Sequence, residues 1–223
     1  MPKYLPLQKK QIIRFKTNNV IKQFISYAVG CMFGRYSPDK EGLILANQGE
    51  TIQDFIDKLG LIHQTPTFMP DEDNVIPILD DEYFKNDIVN QFKTFIKVTF
   101  GEENYQENLK FVEDATGKDI RSYFLKDFYE EHIRRYKKRP IYWLFSSEKG
   151  AFSALIYMHR YRNDTAYIVL NDYLREYISK LQAKRESLKL ISLSESGSLA
   201  DKKKADKDIG IIDKKLKDLD DYE

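Results

Sequence analysis

The chain has 223 residues, with 36 Lys and Arg against 35 Asp and Glu, a formal net charge of +1 and 42% hydrophobic residues. That length allows one or two domains with a sizeable core, and 13% aromatic residues exclude a largely disordered chain. A single cysteine, Cys31, excludes an intrachain disulfide framework; no apolar run reaches the ~18 residues of a spanning helix, and Met1-Pro2-Lys3 opens no signal peptide, so a soluble cytoplasmic protein is expected.

Asn18 and Asn19 are N-cap residues for a helix through about Phe33, with Val20, Phe24, Tyr27, Ala28 and Cys31 at the 3 and 4 spacing of one face. Gly34 stops it, Ser37-Pro38-Asp39 is a turn, and Gly42 to Leu45 is a short strand candidate. Thr51 caps a helix to Leu59, with Gly60 just past its end. Pro66, Pro70 and Pro77 make the stretch from Ile62 to Leu79 irregular.

Asp80 or Asp81 then opens a helix with the stripe Phe84, Ile88, Phe92, Phe95 and Ile96, ended by Gly101. A second helix is expected from about Glu102 to Ala115, with Leu109, Phe111 and Val112 inward and Gly117 closing it. A third runs from Asp119 to about Tyr136, with Ile120, Phe124, Phe128 and Ile133 inward; short connections make these helices neighbours. The period then changes. Ile141 to Phe145 and Phe152 to Tyr157 are strand-like, and the turn signal from Ser146 to Gly150 joins them as an antiparallel hairpin buried on both faces.

From Asn163 or Asp164 a long helix carries Ile168, Tyr173, Leu174, Ile178 and Leu181 inward. Ser192 to Ser198 is a flexible link, and a last amphipathic helix with Ile209, Ile212, Leu216 and Leu219 folds back along its predecessor. The fold class is therefore mainly α with a small antiparallel β-hairpin (α+β): a helical domain over residues 1–162, with the hairpin at about 140–158, and a helical arm over 163–223.

The +1 total conceals polarisation along the chain. Residues 1–60 carry a net +4, residues 61–120 a net −8, residues 121–190 a net +7 and residues 191–223 a net −2. Such blocks either present a potential to a polyanion or face each other inside the fold, and both readings are open on charge alone.

Catalytic chemistry has little support. There is no phosphate-binding Gly-x-x-x-x-Gly-Lys-Ser/Thr loop, no Gly-x-Gly-x-x-Gly turn and no Gly-x-Ser-x-Gly elbow. His63, His132 and His159 lie too far apart, with one cysteine, to give zinc-ligand spacing. Asp71-Glu72-Asp73 and Asp80-Asp81-Glu82 could hold a divalent cation for a nuclease, although a solvated loop and a helix start explain them more simply. Cys31 on an apolar helical face and His132 one turn after Phe128 are expected in the core, while His159 lies among Arg160, Tyr161 and Arg162.

The informative cluster is Arg134, Arg135, Lys137, Lys138 and Arg139, then Lys149 in the hairpin turn, then Arg160 and Arg162, interleaved with Tyr136, Tyr142, Trp143 and Tyr161. Cations neutralise backbone phosphates and aromatic rings stack on unpaired bases. The structural alternative makes Tyr142 and Trp143 core residues and pairs the arginines with the acidic helices of residues 80–115.

Four stretches carry a family resemblance. Ile25-Ser26-Tyr27-Ala28-Val29-Gly30-Cys31-Met32-Phe33-Gly34-Arg35-Tyr36-Ser37, Ile76 to Phe84, Lys138 to Ser147 and Ala154 to Tyr161 resemble, in the same order, segments of the large adenine-specific DNA methyltransferases of BREX phage-defence systems (PglX-like). The resemblance covers roughly residues 18–185. It implies methyl transfer from S-adenosylmethionine by the parent enzyme, within restriction-modification-like defence. The glycine-rich cofactor loop and the Asn-Pro-Pro-aromatic motif of those enzymes do not occur here, so no catalytic or cofactor-binding residue carries over.

What the resemblance implies is a non-catalytic segment downstream of the catalytic domain, serving target recognition or clamping of DNA. The contact candidates are Arg134, Arg135, Lys138, Arg139, Lys149, Arg160 and Arg162. The partners expected are double-stranded DNA, gripped weakly by this piece alone, the catalytic methyltransferase domain and other phage-defence proteins, with no membrane. The rival reading is a structural or protein-interaction module that docks another domain or subunit.

Overall fold

A computed structural model describes residues 14–61, 64–194 and 198–223, with side chains from Asn18 onward. The N-terminus, His63 and the middle of the expected link at 192–198 lie outside the described residues. Seven helices appear among them, which we number in chain order: α1 (Arg14–Met32), α2 (Ile52–Leu59), α3 (Ile88–Phe100), α4 (Tyr105–Thr116), α5 (120–135), α6 (165–193) and α7 (Leu199–Asp220). Three short strands, β1 (Val75–Pro77), β2 (Tyr142–Ser146) and β3 (Ser153–Tyr157), form one antiparallel sheet in the order β1-β3-β2. The expectation of a mainly helical fold with a small antiparallel β part holds.

The hairpin is present, with Tyr142 opposite Tyr157 and Ser146 opposite Ser153. The third strand is new. Proline in a central strand would remove a ladder hydrogen bond, and Pro77 is tolerated because β1 lies at the sheet edge and pairs only with β3. β3 is thus the middle strand, and its two faces enter two different cores.

Ile76, Leu155, Tyr142 and Tyr157 pack with α1 to α5, around Ile25, Phe33, Phe55, Phe92, Phe95 and Phe124. Val75, Ala154 and Ile156 pack with α6 and α7, around Phe84, Phe152, Tyr173, Tyr177, Leu181, Ile212 and Leu219. The sheet is a thin layer between a five-helix head and a two-helix arm. In the arm, Arg175 meets Glu223, Arg185 meets Asp213 and Ser192 meets Asp206, so numbering rises along α6 as it falls along α7 and the pair is antiparallel. No described helix is long and apolar enough to cross a membrane.

Several elements depart from the sequence reading for identifiable reasons. Residues 42–45 form no strand; Ile44 and Leu45 are buried and donate from their amides to the carbonyls of Arg35 and Gly34. α1 begins at Arg14, so Asn18 and Asn19 lie inside it and do not cap it; its buried face is Ile21, Ile25, Ala28, Val29, Cys31 and Met32, while Val20 and Tyr27 turn outward. α3 begins at Ile88, not at Asp80 or Asp81. Asp87 caps it by accepting from the Val89 amide at 2.9 Å, and Arg121 grips the same buried carboxylate through Nη1 and Nη2 at 3.0 and 3.1 Å. The stripe misled because Phe84 belongs to the arm core and Ile88 onward to the head core.

Both α5 and α6 contain a stretch of π geometry, at Phe124–Phe128 and Val169–Leu174. Their buried positions recur every four residues: Ile120, Phe124, Phe128 and His132 in one, Thr165, Val169, Tyr173, Tyr177 and Leu181 in the other. A four-residue period outruns the ~3.6-residue α turn, and a wider π turn restores the apolar face.

Candidate nucleic-acid interface

α5 ends on the Lys137 amide donating to Arg134 and the Lys138 amide to Ile133, the crossed pattern of a helix-terminating Schellman motif. Glycine usually occupies the left-handed position of that motif. Here Lys137 and Lys138 take φ of +50° and +63°, a conformation that side-chain-bearing residues adopt at a cost. The turn throws Arg134, Arg135, Lys137, Lys138 and Arg139 outward as a continuous exposed group just before β2. Among the described residues none of these five side chains has a carboxylate or hydrogen-bonding partner.

Three acids of the acidic block find cations elsewhere. Asp87 pairs with Arg121, Asp81 with Lys184 at 3.0 Å and Asp80 with Lys215 at 2.5 Å. The first of these cations is on α5 and the other two on the arm; among the described residues no ion pair joins the run at 134–139 to an acid of residues 80–115.

The structure divides the other candidates. Arg162 lies past the end of β3, on the same side of the sheet as Arg139, exposed and paired with Asp164 at 3.2 Å. Lys149 is exposed in the β2–β3 turn, at the opposite end of the sheet. Arg160 departs from the expectation. It is 6% exposed, and its guanidinium donates to the carbonyls of Asp71 at 2.8 Å, Glu72 at 2.9 Å and Phe33 at 3.4 Å. Its donors hold the end of α1 to the approach of β1, because β3 runs into the core before turning outward, and they are not available to a phosphate.

The aromatic residues also separate. Tyr142 is buried against Phe33, His132 and Tyr157. Trp143, on the edge strand, is 41% exposed and lies tilted against Tyr161, with ring centroids 5.4 Å apart. It faces the arm side of the sheet, opposite to Tyr142.

His132 is buried among Phe128, Tyr129, Tyr136 and Tyr142, and its Nε2 accepts from the amides of Ile141 at 3.1 Å and Tyr142 at 3.4 Å. It therefore locks the first residues of β2 to α5. Burial, with Arg135 and Arg35 nearby, pushes its pKa down to about 4, so the ring is neutral at physiological pH. Cys31 is buried, and burial pushes its thiol up to about 12, far from nucleophilic use.

The acidic clusters are occupied by protein donors. Asp71 accepts from Asn86 and Gln91 at 3.0 Å and from the Val75 amide at 3.1 Å, and Asp73 accepts from that amide at 2.9 Å and from the Tyr173 hydroxyl at 2.7 Å. Burial beside Asp73 raises the Asp71 pKa. Among the described residues no group of three or more His, Cys, Asp or Glu side chains is arranged to hold a metal ion.

One cation that sequence separation kept out of the candidate set lies close to this interface. Arg35, just past the end of α1, has an electrostatic influence on both Tyr142 and His132. Its one sequence signal is its position between Gly34 and Tyr36.

No protein-family model matches the chain. It is 36% identical over 220 residues to the adenine-specific methyltransferase BrxX of Escherichia coli O9:H4 (strain HS), an alignment covering 92% of this chain and 18% of that protein. It is 39% identical over 214 residues to the adenine-specific methyltransferase PglX of Lacticaseibacillus casei (strain Zhang), covering 91% of this chain and 17% of that protein. The chain spans less than a fifth of the length of these curated relatives. Over about nine-tenths of its own length, then, the chain corresponds to one region of the BREX-type adenine-specific methyltransferases.

Proposed function

We propose that this region is a non-catalytic, DNA-gripping segment of a cytoplasmic adenine-specific DNA methyltransferase acting in phage defence, placed downstream of the catalytic domain. The observation that carries the reading is the run of Arg134, Arg135, Lys138 and Arg139, exposed and without ion-pair partners among the described residues, followed in the next strand by the part-exposed Trp143. Arg162 adds a cation on the same side of the sheet, and Lys149 a separate one at the far end. A base-modifying enzyme that takes its target out of the stack needs the duplex held on either side. Cations along one edge supply that hold through phosphates, and an exposed indole offers a surface on which a base stacks.

S-adenosylmethionine enters this reading only through the rest of the parent enzyme. No strand among the described residues leads through a glycine turn into a helix: β1 runs into residues 78–87, β2 turns back into β3, and β3 enters a short 3-10 turn. We also assign residues 1–162 as the gripping head and 163–223 as the arm that supports the sheet from its other face.

Double-stranded DNA binding across a salt series tests the proposal. Four phosphate contacts give a slope of about 3.6 in log affinity against log salt, or roughly a hundredfold loss between 50 and 200 mM. The variant with Arg134, Arg135, Lys138 and Arg139 all replaced by Gln should lose nearly all of that slope. Salt-independent binding, or a variant that binds as the parent does, overturns the reading.

A second reading, docking of another domain or subunit through the arm, has its own observation. Leu190, Leu193 and Leu199 are 74%, 79% and 71% exposed around the junction of α6 and α7. Replacing all three with Gln and measuring solution mass alongside DNA binding separates the two. A drop in mass with DNA binding intact assigns the tip to assembly.

A further inference from the structure

The turn after α1 is built around two glycines. A Cβ on Gly30 would sit 2.3 Å from the Tyr36 ring, and one on Gly34, whose φ is +74°, would sit 2.9 Å from Leu45 and 3.0 Å from Pro70. With both absent, Tyr36 folds onto the helix and Arg35 emerges half-buried beside it. The Arg35 guanidinium lies 5.5 Å from the Tyr36 ring centre and 5.9 Å from that of Tyr157. It donates from Nη1 to the Tyr157 hydroxyl at 2.9 Å and from Nε to the Tyr36 hydroxyl at 3.4 Å.

The Tyr157 hydroxyl fixes a second group. Its one proton goes to the Leu45 carbonyl at 2.7 Å, so its lone pairs receive Arg35 and, at 3.1 Å, the Nδ1–H of His159. That assigns the His159 tautomer and leaves its Nε2 without a partner among the described residues. Arg35 and His159 are thus tethered to a single oxygen. No carboxylate among the described residues pairs with Arg35. Glu50, whose charge reaches the Tyr157 hydroxyl, is already held by Lys58, the Asn47 side chain and the amides of Ala46 and Asn47. A half-buried guanidinium without a counter-ion gains when an oxyanion supplies one.

Its place in the fold says which oxyanion. The Tyr142 ring packs against Tyr157 at 5.6 Å and against His132 at 4.7 Å, and His132 packs against Tyr136, inside the basic run, at 4.6 Å. A continuous chain of ring contacts thus joins Arg35, through Tyr157, Tyr142 and His132, to Tyr136 of the basic run, about a hundred residues away in sequence. We propose that Arg35, aimed by the Tyr157 hydroxyl with His159 beside it, receives a backbone phosphate of the DNA held by the basic run. This rests on the DNA-gripping reading and extends its footprint from the end of α5 to the end of α1.

The test uses the full chain with duplex DNA across a salt series. Arg35→Gln should lower the slope by about 0.9, one phosphate's share, and weaken binding several-fold at 100 mM salt. Arg35→Lys, which keeps the charge but loses the fork, should restore most of the slope and only part of the affinity. Tyr157→Phe keeps the ring and releases both groups, so it should weaken binding in the same direction while leaving the Gln variant of the run unaffected. A matched thermal unfolding curve guards each variant against misfolding, and Arg35→Lys serves where Arg35→Gln does not fold.

An unchanged slope in Arg35→Gln, with the run still required for binding, overturns this inference and leaves the DNA reading standing. Loss of all wild-type binding overturns both. Inorganic phosphate, followed by the His159 ring resonances, addresses the other source of the same chemistry. Saturation at micromolar phosphate assigns the site to a free anion and overturns the DNA contact, whereas weak, unsaturated shifts that duplex DNA enhances support it.

Discussion

The two ends of the small sheet treat charge in opposite ways. At the end where β1 leaves and β2 turns into β3, charged groups are knitted into the fold. Asp80 and Asp81 meet Lys215 and Lys184, and Asp218 of α7, 3% exposed, accepts from the Ser147 hydroxyl at 2.6 Å and from the amides of Lys149 and Ala151 at 2.9 and 3.1 Å. At the other end, where α5 enters β2, five cations stand in solvent with no ion pair among the described residues, although Glu130 and Glu131 lie one helical turn before Arg134 and Arg135. A net charge of +1 is silent about this difference. What distinguishes a charge that builds the fold from one left for a partner is whether the fold already supplies its counter-ion.

The largest effect that would break this contrast is at the knitted end. Asp218→Ala leaves a hydroxyl and two amides of the β2–β3 turn without an acceptor and should cost about 4 kcal/mol, read as a fall in the urea midpoint. Arg139→Gln, at the open end, should change stability by less than about 0.5 kcal/mol. Equal costs at the two positions would show that the open cations are structural after all.

Acid should distinguish the ends next. The His132 pKa is about 4 in the fold and near 6.5 unfolded, so between those values the unfolded chain binds the extra proton. The stabilisation from neutral His132 is complete above pH 6.5 and is lost as pH falls towards 4, by about 3 kcal/mol in all. Asp71 acts in the opposite sense. Its raised pKa makes the fold bind a proton first, so stability is gained as pH falls below its folded value. The informative comparison is therefore wild type against His132→Gln, whose urea midpoint should fall less between pH 6.5 and 4.5. Parallel curves would mean that the junction of α5 and β2 does not depend on a neutral imidazole.

Much of the fold was legible because local chemistry and packing agree. Thr51 and Asp54 form a reciprocal cap, Gly60 and Gly117 take left-handed conformations past α2 and α4, and the hairpin follows its aromatic and β-branched run. The strand at 75–77 was hidden by Pro77, whose exclusion from sheets does not apply at an edge. The start of α3 was hidden because Phe84 and Ile88 share a period but serve different cores. The interface was legible in part. A run of basic residues after a helix is visible in sequence, but nothing in sequence shows that Arg160 turns inward to three carbonyls, or that Lys149 lies at the far end of the sheet. Arg35 was beyond reach, since only the fold brings the end of α1 to Tyr157.

The smallest expected effect bears most directly on why the open end is open. Lys137 occupies the left-handed position of the Schellman turn at φ +50°, where glycine would fit without steric cost. Lys137→Gly should relieve that cost and stabilise the chain by about 0.5–1 kcal/mol, part of the gain being offset by the freer unfolded state. In a chain of this size that is roughly 2 °C in Tm. A turn shaped by stability alone would carry glycine there. The lysine keeps a cation between Arg135 and Lys138 at the end of α5, so the same substitution should weaken DNA binding and reduce its salt slope by up to about 0.9. Gain in stability with loss of binding would show that the strain is tolerated for the charge it presents. A variant that is both more stable and undiminished in binding would remove Lys137 from the interface and confine the grip to Arg134, Arg135, Lys138 and Arg139.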